Sequence, residues 1–205
     1  MKRIFCILIA SMSLINVSAQ SLWDASKPDN DFTFGVRVGA DFASTDMKYT
    51  SSTHNGFHIG GTADWNIVKS ISIQSGMEFV SKGFKSRYGK GDMYYVQVPV
   101  LASYRIVTPT GVQFHLNAGP YVAWGLGGSV KYSPYDMTFT RHYDQDSFGD
   151  KGFFKHLDAG LSASVWAKIG HVLLGVGYEY GLTDIAKVYG KFHNRNTMMT
   201  VGYDF

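Results

Sequence analysis

Nine ionisable residues recur among glycines, serines and threonines, one or two to each stretch of alternating hydrophobicity: Arg37, Asp41, Asp64, Glu78, Arg105, Asp158, Lys168, Glu179 and Asp204. So dispersed, they suit a buried ion-pair network, or a lumenal site using Asp158, Glu179 or His115. Pairing is the simpler chemistry, because an isolated charge facing a low-dielectric interior costs too much to persist. A hydrolase would need a nucleophile beside a base. Ser75 falls on the apolar face but has no evident base. The pattern puts His58, His115 and His156 with the charges, and His54, His142, His171 and His193 in loops, turns or strand edges. Asp144, Asp146 and Asp150 around Gly149 suggest a calcium loop, but Phe148 occupies a ligand position and no Glu stands at the twelfth place. His54 and His58 would share a strand face, yet no third metal ligand is apparent. No metal, cofactor or enzymatic activity is therefore expected. Tyr132, Tyr135, Phe139, Tyr143 and Phe148 make one long loop unusually aromatic, suited to closing over the end of the fold or to contacting a partner.

The elements that must position these residues alternate with a period of two. Phe32, Phe34, Val36, Val38, Ala40 and Phe42 oppose Thr33, Gly35, Arg37, Gly39, Asp41 and Ala43, the clearest strand in the chain. Similar alternation predicts strands over 56–65, 71–80, 94–105, 112–127, 156–168, 172–182 and 194–205. Pro99 cannot donate to a ladder, so a bulge or local distortion is expected there. The stretch from Lys82 to Asp92 is glycine-rich and basic and reads as a loop, as do 44–53, 128–152 and 183–193. Connections after the second, fourth and sixth strands are short, and the others are long. Short turns at one end and long loops at the other are the asymmetry of outer-membrane barrels, with both termini on the periplasmic side. The final alternation, ending on Tyr203 and Phe205 with no tail, suits the strand that closes a barrel against the first.

At 205 residues the chain fits one domain. Lys2 and Arg3, the apolar run 4–17 and the small residues Val17-Ser18-Ala19 read as a signal peptide over 1–19. Residues 20–31 form a polar leader and 32–205 the barrel. Cys6 lies within the signal, so the exported chain has no cysteine. Removing Lys2 and Arg3 from 19 basic residues leaves 17 against 16 acidic, a net charge near +1 that gives no reason to expect nucleic acid. Charged residues make up only 17%, below the roughly 25–35% of a water-facing surface, while aromatics reach 15%. No apolar run after the signal approaches a spanning helix, so a membrane protein of this sequence must be a barrel.

Alternation alone leaves open which face meets water. An eight-stranded barrel is just wide enough inside for side chains to fill it. The small, polar face therefore suits the lumen and the apolar face suits lipid, with Phe42, Trp65, Tyr104, Trp124, Tyr178, Tyr180, Tyr203 and Phe205 at strand ends as interfacial girdles. The expected fold is all-β, an eight-stranded antiparallel up-and-down transmembrane β-barrel. It is expected to be a plugged, monomeric barrel in the outer membrane, surrounded by lipid and contacting any protein partner through its extracellular loops.

Several stretches resemble the PorT-like outer-membrane β-barrel family of Bacteroidetes-type bacteria: Tyr95-Val96-Gln97-Val98-Pro99-Val100-Leu101, Gly119-Pro120-Tyr121, Asp158-Ala159-Gly160-Leu161, Gly177 through Ile185, and the closing Gly202-Tyr203-Asp204-Phe205. The resemblance spans essentially the whole mature chain, and the order of these short motifs carries more weight than any one. It implies an eight-stranded outer-membrane barrel without an assigned activity. Three other readings make different demands: a soluble lipocalin-like carrier needs an apolar cavity, a narrow channel an open lumen, and a lipid-modifying enzyme an outward nucleophile.

Overall fold

The computed structural model describes residues 23–45, 50–86, 89–132, 143–148, 152–187 and 192–205. Among the described residues there are ten strands: β1 (Phe32–Thr45), β2 (Thr50–Ser52), β3 (His54–Val68), β4 (Ile71–Ser86), β5 (Gly89–Val107), β6 (Gln113–Tyr132), β7 (Tyr143–Asp146), β8 (Leu157–Ile169), β9 (Val172–Gly181) and β10 (Asn194–Asp204). Each long strand pairs antiparallel with its neighbour, and β10 closes on β1, with Val38 opposite Val201. The result is a closed eight-stranded barrel, with β2 added beside β4 and β7 beside β6. Closure removes the sheet edges that lipid could not solvate.

Side-chain orientation decides the question that alternation left open. Val36, Leu116 and Val176 are 48%, 40% and 55% exposed around the girth, whereas Arg37, Asn117 and Glu179 are buried in the lumen. Apolar residues outside and polar ones inside are what a lipid solvent selects. The apolar cavity that a water-soluble carrier needs is not supported, since charged and polar side chains such as Arg37, Gln97, Asn117 and Glu179 fill the inward face of this girth, with only scattered apolar ones such as Leu101, Trp166 and Leu173.

Short turns gather at one end of the barrel. In β8–β9 the chain reverses at Gly170 and His171, with Gly170 at φ +59°, a left-handed conformation that suits the first position of a two-residue hairpin loop. The leader crosses this same end: Ser70 donates its backbone N–H to the Asp24 carbonyl at 3.1 Å, and Asn66 donates to that of Asp31 at 2.8 Å.

Three expectations require correction. The Lys82–Asp92 stretch is not a loop, because β4 continues to Ser86 and β5 begins at Gly89, the two pairing all the way. The 128–152 stretch is partly strand as well, since β6 runs to Tyr132 and β7 pairs back upon it. Pro99 causes no register shift. Its register with β6 is the same on either side, and the bulge lies where Tyr94 and Tyr95 face Gly127 and Gly125, leaving Leu126 as the extra residue. Instead, the Ser75 hydroxyl donates to the Pro99 carbonyl at 2.9 Å.

Close approach inside the barrel is visible at Gly39, where any Cβ would collide with the Met199 carbonyl oxygen and the His58 ring; at the outward Gly61 the nearest atom is 3.9 Å away. Gly39→Val is expected to destabilise the barrel by about 1–3 kcal/mol, while Gly61→Val should stay within about 0.5 kcal/mol. Urea unfolding in detergent micelles, followed by tryptophan fluorescence, measures both. Equal midpoints would contradict this packing.

Candidate functional site

Lys82 organises the half of the lumen nearer the long loops. It is fully buried, and its placement follows from β4 continuing its inward series Glu78, Val80, Lys82 and Phe84. Its ammonium lies 2.9 Å from Glu179 Oε2 on β9 and 3.9 Å from Asp158 Oδ2 on β8. It also donates to Gln97 Oε1 at 2.8 Å, and Gln97 in turn donates to Glu179. The rings of Tyr121 and Tyr95 face the ammonium at 4.5 and 5.7 Å, adding cation–π attraction in a desolvated setting. Asn194 donates to Asp158 Oδ2 at 2.8 Å. Asn196 donates to Asp41 Oδ1 at 2.9 Å and to Glu179 Oε2 at 3.4 Å. The chain of contacts ends at His58, whose Nδ1 is 3.1 Å from Asp41 and whose Nε2 is 3.1 Å from the Thr200 hydroxyl. Glu78 sits in the same band, opposite Gly60 and Gln97 in register.

A second cluster fills the short-turn half. Arg37 donates to Asp204 Oδ1 at 2.7 Å, and Lys168 donates to Asp204 Oδ2 at 2.6 Å. The Arg37 guanidinium also lies 4.8 Å from the Trp166 ring centre. Gly202 makes room for it, since a Cβ there would stand 2.6 Å from Arg37 Cδ. Asp64 accepts from the Gln74 amide at 3.1 and 3.2 Å, and Arg105 donates to Asn66 at 3.0 Å. Asp64 and Arg105 therefore meet amides as their hydrogen-bond partners, where the sequence reading demanded opposite charges. An amide satisfies a buried charge without a second desolvated ion.

Sequence reasoning placed the nine charged residues but missed Lys82, the cation that joins Asp158 and Glu179, and the amides of Gln74, Gln97, Asn194 and Asn196. The amides all occupy inward positions of the period-two pattern, which was the available signal. His54 stands at a strand edge, as the first residue of β3, with Nε2 3.4 Å from Asp92. His156 brings Nδ1 to 2.7 Å from the Gly125 carbonyl. Among the described residues no group of three or more His, Cys, Asp or Glu is placed to hold a metal ion.

Above Lys82 the long-loop mouth is closed by an apolar cluster of Phe84, Met93, Val130, Phe148, Phe154, Ile185 and Phe192. Phe148, one of the aromatics suited either to closing over the end of the fold or to contacting a partner, is buried in the closing cluster, with its ring edge-on to Tyr95 at 5.4 Å and stacked on His156 at 5.2 Å. Tyr135, Phe139 and Asp150 lie outside the described residues, as do the side chains of Tyr132, Tyr143 and Asp144. Asp184 ties the 182–193 connection together by accepting the backbone N–H groups of Phe192 at 3.0 Å and Ala186 at 3.1 Å. The bond from Phe192, followed by that from Ala186, holds this carboxyl below its ordinary value of 3.8.

The sequence matches the family described as outer membrane protein beta-barrel domain over residues 18–187. The chain belongs to that family. It is a small eight-stranded outer-membrane β-barrel protein. A search of curated proteins returns no match. Among solved structures, the attachment invasion locus protein Ail of Yersinia pestis, in complex with the heparin analogue sucrose octasulfate, is 15% identical, with 86% of this chain and 100% of that one covered and a TM-score of 0.48. Neisserial surface protein A is 14% identical over 86% of this chain and 98% of that one, with a TM-score of 0.47. OprG of Pseudomonas aeruginosa is 13% identical over 89% and 99%, at 0.42.

Lys82→Met leaves Glu179 and Asp158 without their cation and is expected to cost about 3–5 kcal/mol. Adding Glu179→Gln should recover part of that loss. Asp158→Leu should cost less than Lys82→Met, because Lys82 keeps Glu179. Urea midpoints and heat-modifiable gel migration rank the three, and a neutral Lys82→Met would remove the cluster from the account of stability. For Asp184 the depressed carboxyl means that its tie is present above pH 3.8 and is lost as pH falls through a lower, folded value. NMR shifts of the Ala186 and Phe192 amide protons should titrate with a midpoint below 3.8; one at or above 3.8 would count against the tie.

Proposed function

We propose that this barrel anchors and displays its long loops, and that any specific contact with a protein partner is made there by a non-conducting monomer. The observation that supports it best is the filled lumen: a buried polar cluster around Lys82 lies beneath a mouth closed by Phe148, Phe154 and Phe192. With the interior occupied, recognition falls to the long-loop end. Residues 1–19 act as the export signal, both termini face the periplasm, and the long loops face outward, in keeping with the turn asymmetry of outer-membrane barrels. The motifs from Tyr95 to Leu101 and from Gly177 to Ile185 favour a PorT-like barrel within the family.

The reading includes no enzymatic activity. Ser75, the outward serine, is engaged by the Pro99 carbonyl and not by a base, which supports this.

Purified protein in planar bilayers is expected to give no discrete current steps, and steady single-channel current would sink the plugged-barrel reading. A photo-crosslinker attached at Tyr135→Cys should trap a specific partner in cells, whereas one on Val36→Cys, in the lipid-facing girth, should not. Indistinguishable adducts from both positions would overturn loop display.

A further inference from the structure

The stretch that reads as a basic loop divides its cations between the two faces of the wall. Lys82 turns inward, while Lys85 and Lys90 turn outward and are exposed. In register, Lys85 stands opposite Lys90 across β4 and β5, and Lys90 stands opposite Lys131 across β5 and β6. Lys131 is exposed as well. Residues directly opposite on one face have Cβ atoms about 4.5–5.5 Å apart, and like charges so placed repel. Lys90 therefore has a lysine on each side.

Nearby acids do not dissolve the row. Asp92, the next outward residue on β5, meets His54 at 3.4 Å, and Asp146 faces Ser129, not a lysine. Asp144 stands opposite Lys131 on its far side, at the end of the row and away from Lys85 and Lys90. Among the described residues neither Lys85 nor Lys90 forms an ion pair.

The height of the row identifies its surroundings. Below it on the same outward face, Phe57 packs on Phe79 at 6.0 Å and Phe79 stacks on Tyr94 at 5.9 Å, an aromatic band across β3, β4 and β5. From Tyr94 to Tyr104 the outward residues are Val96, Val98, Val100 and Ala102, a length of strand that at a tilt near 45° spans an apolar band of about 25 Å. Lys90 lies beyond Tyr94 by roughly 13 Å of strand, or about 9 Å of height at that tilt. Long lysine side chains at this level sit among lipid headgroups, with their stems along the apolar wall.

We infer that Lys85, Lys90 and Lys131 form a binding site for the phosphate groups of an anionic membrane lipid lying against the barrel wall. The occupant is a lipid because the row continues the lipid-facing surface directly above its aromatic band. Phosphate oxygens supply the charge that the Lys85 and Lys90 ammonium groups need, with Lys131 at the end of the row, and the acyl chains follow the aliphatic face of β4–β6 downward. The inference rests on membrane embedding and not on loop display, so either can fail without the other.

The test uses full-length protein folded in detergent micelles and titrated, under native mass spectrometry, with a glycolipid bearing two phosphate monoesters or with phosphatidylcholine. Wild-type protein should bind the bisphosphorylated lipid about tenfold more tightly. Lys85→Gln/Lys90→Gln/Lys131→Gln should lose that preference, and Lys27→Gln/Lys69→Gln should keep it. On wild-type protein, nanodiscs containing the bisphosphorylated lipid should slow acetylation of the three row lysines relative to phosphatidylcholine nanodiscs, a readout that stands even if the triple variant does not fold. Equal affinity for both lipids, equal loss in the control variant, or unchanged acetylation would overturn the site. Complete displacement of the lipid by millimolar inorganic phosphate would overturn the lipid as its occupant.

Discussion

The structure depends on one constraint: charges inside a narrow barrel must find their partners within the diameter of that barrel. Asp204 accepts from both Arg37 and Lys168, and Glu179 is reached by Lys82, Gln97 and Asn196. Such convergence is possible only where the facing wall is bare, hence the glycines at 35, 39, 60 and 202. Removing one member of a shared set strands the others, which makes the interior cooperative and resistant to piecemeal change.

Amides do much of this work. Gln74, Gln97, Asn66, Asn194 and Asn196 each reach a charged group, so the lumen needs fewer counter-ions than a tally of acids and bases suggests. The two halves also differ in sign. Arg37, Arg105 and Lys168 outnumber Asp64 and Asp204 near the short turns, whereas Asp41, Glu78, Asp158 and Glu179 surround Lys82 and His58 near the long loops. Between them lie small or neutral inward residues such as Gly39, Thr62, Ser103 and Asn117, so neither cluster has to satisfy the other directly.

Much of this was legible in the sequence because lipid imposes one rule along each spanning segment. Apolar side chains face out, polar ones face in, and eight alternations with alternately short and long connections specify the barrel. The rule ends at the interface. Beyond the hydrocarbon the outward positions meet headgroups and water and the inward ones must pack on one another, so the hydrophobic alternation inverts: Lys85 and Lys90 are outside, Phe84 and Met93 inside. A segment crossing that boundary shows apolar and polar residues on both faces and reads as a patternless, basic loop. Lys82 lies in that ambiguous zone and was lost with it. On β6 the bulge at Leu126 adds a change of parity, which places Val130 inward and Lys131 outward.

The inversion also explains why an apolar cap and a polar lumen can share one sheet. Within the membrane the barrel interior is the place where polar groups escape lipid; above it the interior is the place where Phe84, Phe148, Phe154 and Phe192 escape water. One continuous wall of β4, β5 and β6 thus carries two cores of opposite polarity, stacked end to end. The junction falls at Tyr95 and Tyr121, whose rings belong to the apolar cluster and present their faces to the Lys82 ammonium. An aromatic ring suits this boundary because its body is apolar while its π-face attracts a cation. The cap needs the polar cluster as its floor, and the cluster needs the cap to exclude water, so the mouth and the lumen are stabilised as one unit.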